Sequence, residues 1–216
     1  MKAPINKIIE MLKEIYPSLQ EPIVTEVARE GNPFFVLIST ILSLRTKDKT
    51  TKEATQRLLS VAKTPQEMLN LSAEKISQLI YPVGFYNVKA KNILKVCKIL
   101  VEKYNAQVPN KLEDLLNLPN VGRKTANLVL SKGFNIPAIC VDIHVHRISN
   151  RLGIVKTKTP TQTEFELMKV LPKKYWIEYN DLLVPFGQNI CAPISPFCSK
   201  CKLESFCLKI GVKSSR

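Results

Sequence analysis

Four cysteines near the C-terminal end of the sequence constrain the fold more than any other feature. Cys191, Cys198, Cys201 and Cys207 follow the spacing C-x6-C-x2-C-x5-C. Four thiolates this close in sequence can converge on one inorganic centre, and the C-x2-C core brings two sulfurs together across a tight turn. The spacing alone does not choose between a zinc ion and a [4Fe–4S] cluster. Two disulfides are the alternative, but they require an oxidising compartment.

The N-terminal segment argues against such a compartment. Residues 1–16 mix lysines and glutamates with apolar residues and contain no apolar core of an export signal. We therefore expect a cytoplasmic protein. The other two cysteines, Cys97 and Cys140, lie in apolar runs and are interpreted as ordinary buried thiols.

The charge balance points to a polyanionic partner. The formal net charge is +14, and 45% of the residues are hydrophobic, so the chain has enough apolar material for a folded core. Nucleic acid is the first candidate partner and an anionic membrane the second. No apolar run approaches the roughly 20 residues that cross a bilayer, and no basic amphipathic helix favours the membrane.

The hydrophobic pattern predicts helices almost throughout. Apolar residues recur at helical spacing near the N-terminus, and Asn32-Pro33, Thr64-Pro65 and Thr159-Pro160 each read as an N-cap followed by proline. No run alternates convincingly, so few strands are expected. The best candidate boundary lies around residues 131–137, where Gly133 and Pro137 bracket a non-periodic segment.

The segment LPNVGRKTANLVL (118–130) predicts two helices joined by a tight turn. Asn120 and Gly122 are residue types that tolerate a positive φ in such a turn. Backbone N–H groups at the start of the second helix would form a phosphate cradle. We expect Asn120, Gly122, Arg123 and Thr125 to contact a nucleic acid there. Taken alone, any helical hairpin could look like this.

Two residues in and after this segment are candidates for catalysis. Lys124 lies in the first turn of the second helix beside Arg123, where the helix end and the neighbouring cation disfavour the ammonium form and favour a nucleophilic amine. The alternative is a solvated lysine. Asp142, in VDIHVHR (141–147), precedes a helical stretch and could stabilise positive charge, or could be a plain N-cap. His144 and His146 would not share a helix face, so we interpret them as structural or phosphate-contacting.

The hairpin, the VDIHVHR segment and the four cysteines, in this order and at these separations, resemble the endonuclease III family. These are helix-hairpin-helix DNA glycosylases and AP lyases with a [4Fe–4S] cluster, and the resemblance covers essentially the whole chain. It implies an all-α fold of two helical lobes. One is a six-helix barrel carrying the hairpin (22–133). The other is a smaller iron–sulfur lobe (1–21 plus 134–216). DNA is expected in a basic groove between them.

The resemblance also implies roles for individual residues. Lys124 matches the lysine that attacks the sugar C1′, and Asp142 matches the aspartate that assists departure of the base. The four cysteines match the cluster ligands. The family's stack-filling pair is a glutamine and an apolar residue in a G-L-Y-N turn. At these positions the chain has Arg45 and Phe85.

Three departures from the family pattern are visible. Asn120 replaces the first glycine of the usual L-P-G-V-G turn. The loop 192–197 between the first two cluster cysteines has no charge, so Lys200 and Lys202 are expected to make its phosphate contacts. Arg45 replaces the glutamine, and its guanidinium could either read guanine opposite the lesion or hold a phosphate.

We therefore predict a bifunctional enzyme that removes oxidised or ring-saturated pyrimidines from duplex DNA through a lysine imine and then cleaves the strand by β-elimination. Its partner would be double-stranded DNA with such lesions or abasic sites. We expect a nucleoid-associated monomer that does not bind membranes. A monofunctional mismatch glycosylase of the same superfamily is one alternative, and Lys124 argues against it. The other is a ferredoxin-like electron carrier or a non-catalytic DNA-binding module.

Overall fold

The computed structural model describes residues 4–216, and within that range every regular element is helical. Twelve α-helices occur among these residues: α1 (Ile5–Ile15), α2 (Ile23–Ala28), α3 (Pro33–Ser43), α4 (Asp48–Val61), α5 (Pro65–Leu69), α6 (Ala73–Ile80), α7 (Tyr86–Tyr104), α8 (Leu112–Leu116), α9 (Arg123–Leu128), α10 (Ile143–Arg151), α11 (Pro160–Val170) and α12 (Trp176–Asn189). A π-helix, Val129–Gly133, continues α9. Short 3-10 turns lie at Tyr16–Ser18, Lys173–Tyr175, Cys198–Lys200 and Glu204–Phe206. The prediction of an all-α protein is confirmed.

Side-chain caps fix several helix starts where the sequence predicted them. The Asn32 side chain accepts from Phe34 N–H at 2.9 Å, with Pro33 in the first turn of α3. Thr64 caps α5 and Thr159 caps α11 through the amide three residues further on, at 3.1 and 3.2 Å. Each such cap satisfies a backbone amide that a helix start leaves without an intrahelical partner.

The chain divides into two compact units. One comprises Ile23–Ile136, and the other comprises Met1–Pro22 together with Pro137–Arg216. The division falls within the segment 131–137 that the sequence indicated. The first three residues of the predicted iron–sulfur lobe lie outside the described residues.

The unit Ile23–Ile136 is built around α3. Residues on every side of this helix are buried, and Val36, Leu37, Ile38, Ile41 and Leu42 are fully buried. Helices α2, α4, α7 and α9 pack against it, while α5 and α6 pack on α7. A helix without a polar face is stable only when neighbours surround it, so α3 forms the axis of this unit.

The second unit has its own core. Buried side chains of α1, α10, α11 and α12 form one cluster, which includes Ile8, Val145, Leu167, Tyr179 and Phe186. The half-buried cysteines Cys191, Cys201 and Cys207 pack against the edge of this cluster. Among residues 4–216, no helix combines the length and apolar character needed to span a bilayer.

Candidate active site and metal centre

The predicted helical hairpin is present within the unit Ile23–Ile136. Helix α8 ends at Leu116, a tight turn follows, and α9 begins at Arg123. Asn120 has a φ of 64°, so an asparagine occupies the left-handed position of the turn, as predicted. Gly122 does not use the positive φ that a glycine tolerates, because its φ is −92° and its ψ is 178°, an extended conformation that any residue adopts.

The glycine at 122 therefore needs another explanation than backbone strain. Gly122 is the N-cap of α9, and a Cβ atom added there would meet no atom within 4 Å. Nothing in the chain's own packing requires a glycine at this exposed position. A missing side chain at a helix N-terminus does leave room for a ligand to approach the backbone closely.

Lys124 and Arg123 lie in the first turn of α9, and both are half-buried. Thr125 is only 1% exposed, which leaves little of its side chain for the predicted DNA contact. Helix hydrogen bonding begins with Ala126 N–H, which donates to Gly122 O at 2.9 Å. Lys124 thus lies at the end of α9 at which the helix dipole is positive.

Asp142 caps the N-terminus of α10 in the other unit. Its Oδ1 accepts from the amides of His144 and Val145, both at 2.9 Å, and the residue is 9% exposed. The plain N-cap interpretation therefore describes what this carboxylate does in the fold. The same two hydrogen bonds also hold the carboxylate in one orientation at the positive end of α10.

The two histidines have separate partners, as their spacing indicated. His146 Nδ1 lies 2.6 Å from Thr163 Oγ1, and burial lowers the pKa of His146. His144 Nδ1 lies 3.1 Å from Arg147 Nη2. His146 is therefore tied into the packing of α10 on α11, whereas His144 is tied to an arginine of its own helix.

Arg45 and Phe85 come together although 40 positions separate them in the sequence. The Arg45 Cζ atom lies 5.7 Å from the centroid of the Phe85 ring. Arg45 is exposed and Phe85 is 61% exposed. Both residues have left-handed backbones, with φ values of 54° and 58°. We call this pair the Arg45–Phe85 tip.

Sequence reasoning missed a buried lysine beneath this tip. Lys89 of α7 is 3% exposed, and burial lowers its pKa to about 8. The available signal was periodicity, because Lys89 shares one helix face with the buried residues Ile93, Val96 and Leu100. A lysine on an apolar stripe indicates a charge with dedicated partners.

The four C-terminal cysteines line one pocket in the unit that contains α10 and α12. All six cysteines of the chain are free thiols, so the disulfide alternative is not realised. Within residues 4–216, no group of three or more histidine, cysteine, aspartate or glutamate side chains is arranged to hold a single metal ion. Burial raises the pKa of the Cys201 thiol to about 11 and also raises that of Cys207.

Hydrogen-bond donors surround these sulfurs. Arg151 donates to Cys191 Sγ at 3.3 Å, and Lys209 N–H donates to Cys207 Sγ at 3.3 Å. Arg151 is only 6% exposed and also donates to the carbonyls of Ala192 and Pro193, both at 2.7 Å. These bonds fix the start of the uncharged loop 192–197.

Arg147, one turn before Arg151 on α10, makes a second attachment to the cysteine segment. Its Nη2 donates to the carbonyls of Gly187 and Cys191, at 3.0 and 2.8 Å. Sequence reasoning missed both arginines, although their i,i+4 spacing after Asp142 places them on one face of the helix.

The remaining predicted residues have ordinary surroundings. Lys200 and Lys202 are exposed, and Lys202 pairs with Glu14 at 3.8 Å. Cys97 and Cys140 are buried, as predicted, and burial raises the pKa of Cys97 to about 12. Cys140 O accepts from Asn180 at 3.1 Å inside the core.

Comparisons with known proteins show the family to which the chain belongs. Residues 38–173 match the family model of the HhH-GPD superfamily base excision DNA repair protein. Endonuclease III of Thermotoga maritima is 51% identical over 179 residues, which cover 83% of this chain and 84% of the relative.

Two solved structures are similar over nearly the whole chain. A non-covalent endonuclease III–DNA complex has a TM-score of 0.87 and 36% identity, covering 97% of this chain and 96% of its own. A trapped endonuclease III–DNA covalent intermediate, an estranged-adenine complex, has a TM-score of 0.80 and 35% identity, covering 94% and 95%.

Proposed function

Because the chain belongs to the endonuclease III family of HhH-GPD base excision repair proteins, we propose that it is a bifunctional DNA glycosylase and AP lyase. Its substrates are oxidised or ring-saturated pyrimidines in duplex DNA, and abasic sites. We also propose that the protein is a monomer and that it acts on DNA in the cytoplasm.

The hairpin is the observation that carries this proposal. An asparagine in the left-handed position turns the chain, an open glycine caps α9, and Lys124 follows in the first turn. A phosphate fits against the amides of such a helix start. The amine of Lys124 then lies beside the DNA backbone, where it can reach a sugar carbon.

The chemistry assigned to Lys124 is nucleophilic. Its neutral amine attacks C1′ of the damaged nucleotide, and the bond between C1′ and the base breaks as the new C–N bond forms. Opening of the sugar ring gives an imine between Lys124 and C1′. Loss of a proton from C2′ then expels the 3′ phosphate, and hydrolysis of the imine frees the lysine.

Asp142 supplies the negative charge for the first step. Departure of the base builds positive charge on the sugar, and a fixed carboxylate stabilises that charge without having to reorient. The hydrogen bonds that Asp142 accepts from two backbone amides give it that fixed orientation. A carboxylate whose Oδ1 is already bonded to a helix end still has its second oxygen for substrate.

Cys191, Cys198, Cys201 and Cys207 fit a [4Fe–4S] cluster as its four ligands. They line one pocket, and N–H donors already bond to two of their sulfurs. A zinc ion would accept the same four thiolates, and membership of the endonuclease III family favours the cluster. A bound cluster would organise the segment that carries these cysteines.

A borohydride trapping assay with abasic duplex DNA tests the proposal against its alternatives. Only an imine-forming lyase becomes covalently attached to DNA when borohydride reduces the imine. A mismatch glycosylase without a lysine nucleophile, an electron carrier and a non-catalytic binding module are all left unattached. We expect trapping by the wild-type protein, and its absence would overturn the proposal.

The variant Lys124→Gln assigns the nucleophile within the same assay. Glutamine keeps the length of the side chain but cannot form an imine, so trapping should be lost. Binding to undamaged duplex should remain nearly intact, because one neutralised lysine removes one of several phosphate contacts. Arg123→Gln is the matched control, since it removes a charge from the neighbouring position and leaves the amine in place.

A further inference from the structure

Lys89 is the one buried lysine among the described residues that neither the proposed chemistry nor the proposed cluster uses. Its Nζ donates to three oxygens: Leu42 O at 2.8 Å, Leu44 O at 2.6 Å and Thr46 Oγ1 at 3.2 Å. Leu42 and Leu44 lie at the C-terminal end of α3, where carbonyls lack intrahelical partners and the helix dipole is negative. The ammonium group therefore binds the segment that leads out of α3.

The hydroxyl group of Thr46 connects this segment to a second loop. Its Oγ1 accepts from Gly84 N–H at 3.2 Å as well as from Lys89. Thr46 Oγ1 also donates to Leu44 O at 3.3 Å. One hydroxyl thus joins residues 44–46, the start of α7 and the turn before it.

Gly84 allows these two loops to approach each other. A Cβ atom at this position would lie 2.7 Å from Arg45 O, closer than real Cβ contacts come. Any other residue would push the loops apart. The glycine and the Lys89–Thr46 hydrogen bonds therefore act together to hold residues 44–46 against residues 83–85.

The Arg45–Phe85 tip is part of the contact between residues 44–46 and residues 83–85, which we call the junction. Arg45 lies between Leu44 and Thr46, and Phe85 follows Gly84 directly. Both tip residues have left-handed backbones, a conformation that costs non-glycine residues energy and persists only where the surroundings enforce it. Lys89 bonds to Leu44 and Thr46, on either side of Arg45, and Thr46 bonds to Gly84, directly before Phe85.

We propose that Lys89 is a positioning residue that pre-organises the Arg45–Phe85 tip for insertion into the DNA stack. This inference rests on the proposed function, in which a nucleotide leaves the stack and protein side chains fill the gap. An exposed aromatic ring can stack on a base only if its backbone already holds it outward. Lys89 itself touches neither DNA nor the reacting atoms.

The variant Lys89→Met tests the proposal, because methionine keeps an unbranched side chain and loses the ammonium group. Two single-turnover rates are compared with wild type: removal of a ring-saturated pyrimidine from duplex DNA, and lyase cleavage of a single-stranded abasic oligonucleotide. The duplex has a stack to fill and the single strand has none. We expect the duplex rate to fall by about 10- to 100-fold, the effect of misplacing a positioned group, and the single-strand rate to stay within about twofold of wild type.

Lys98→Met is the matched control, since Lys98 lies on the same helix but is exposed, and it pairs with Glu102 at 3.7 Å. Both of its rates should equal those of wild type. Thr46→Val removes the shared hydroxyl and should show the same selective loss as Lys89→Met. Because the two residues act through one junction, the double variant should be no slower than the slower single variant.

The outcomes separate this inference from the proposed function. If wild type cleaves neither substrate, the proposed function fails. If wild type cleaves both and Lys89→Met loses both rates equally, or neither, Lys89 is a structural residue and the inference is overturned. If Lys89→Met does not fold, Thr46→Val decides by the same two rates.

Discussion

Replacement of Asp142 separates its role as a helix cap from its role in catalysis. Asp142→Ala removes the acceptor of two amide hydrogen bonds, one of which comes from the fully buried Val145. Loss of such a cap costs up to about 2 kcal/mol, which lowers Tm by roughly 4–8 °C for a chain of this size. Asp142→Asn keeps a carbonyl oxygen in place and loses only the charge, worth about 0.3–1 kcal/mol at a helix N-terminus.

The two variants should differ in stability but should lose activity to a similar extent. Both variants lack the carboxylate, so both should slow base release by about 10²- to 10⁴-fold, the usual range for a group that acts on a developing charge or proton. Single-turnover release from a duplex with one ring-saturated pyrimidine measures this, and thermal melting measures stability. Thr159→Ala is the control, because it removes the N-cap of α11 in the same unit and should cost stability without slowing base release.

The decisive comparison is Asp142→Asn against Asp142→Ala. If Asp142→Asn melts near wild type and also releases the base at nearly the wild-type rate, the carboxylate is only a helix cap. The catalytic assignment would then be wrong, whatever the alanine variant does.

Three further predictions concern the metal, the tip and the buried lysine. Cys198→Ser should lose the brown colour and visible absorption of an iron–sulfur protein and become poorly soluble, whereas Cys97→Ala should keep both; a colourless wild type with stoichiometric zinc would contradict this. Arg45→Gln should reduce a preference for lesions opposite guanine by about 1–3 kcal/mol, whereas an equal loss opposite all four bases would show that Arg45 holds a phosphate. Lys89 has a pKa of about 8 in the fold and an ordinary value of 10.5, so between these pH values the unfolded chain binds more protons than the folded chain. The free energy of unfolding of wild type relative to Lys89→Met should therefore rise with pH across this window, by up to about 3 kcal/mol; urea melts at pH 7.5 and 9.5 check it, and a constant or falling difference would refute it.

Local patterns predicted the elements of this protein well. Asn32, Thr64 and Thr159 cap the helices that follow them, because a cap depends on a few neighbouring residues. The hairpin around Asn120 forms for the same reason. The spacing of Gly122 and Lys124 from that turn placed both at the start of α9.

Such local patterns did not predict contacts between segments that are distant in the sequence. Gly122 has an extended backbone, and a glycine alone does not fix which backbone angle is adopted. Lys89 bonds to residues more than 40 positions away. Arg151 similarly reaches the carbonyl of Ala192. For Lys89, periodicity placed a charged residue on an apolar face, but only the tertiary fold supplies the partners of Lys89 and of Arg151.

Identification of the residue that carries the trapped DNA tests the central claim most directly. Wild-type protein is incubated with an abasic duplex and borohydride, the DNA is digested to a small sugar remnant, and the protein is cleaved and sequenced by mass spectrometry. We predict a reduced sugar adduct on Lys124 and on no other amine. An adduct on any other lysine or on the N-terminal amine would contradict the assignment, and no adduct at all would contradict the lyase.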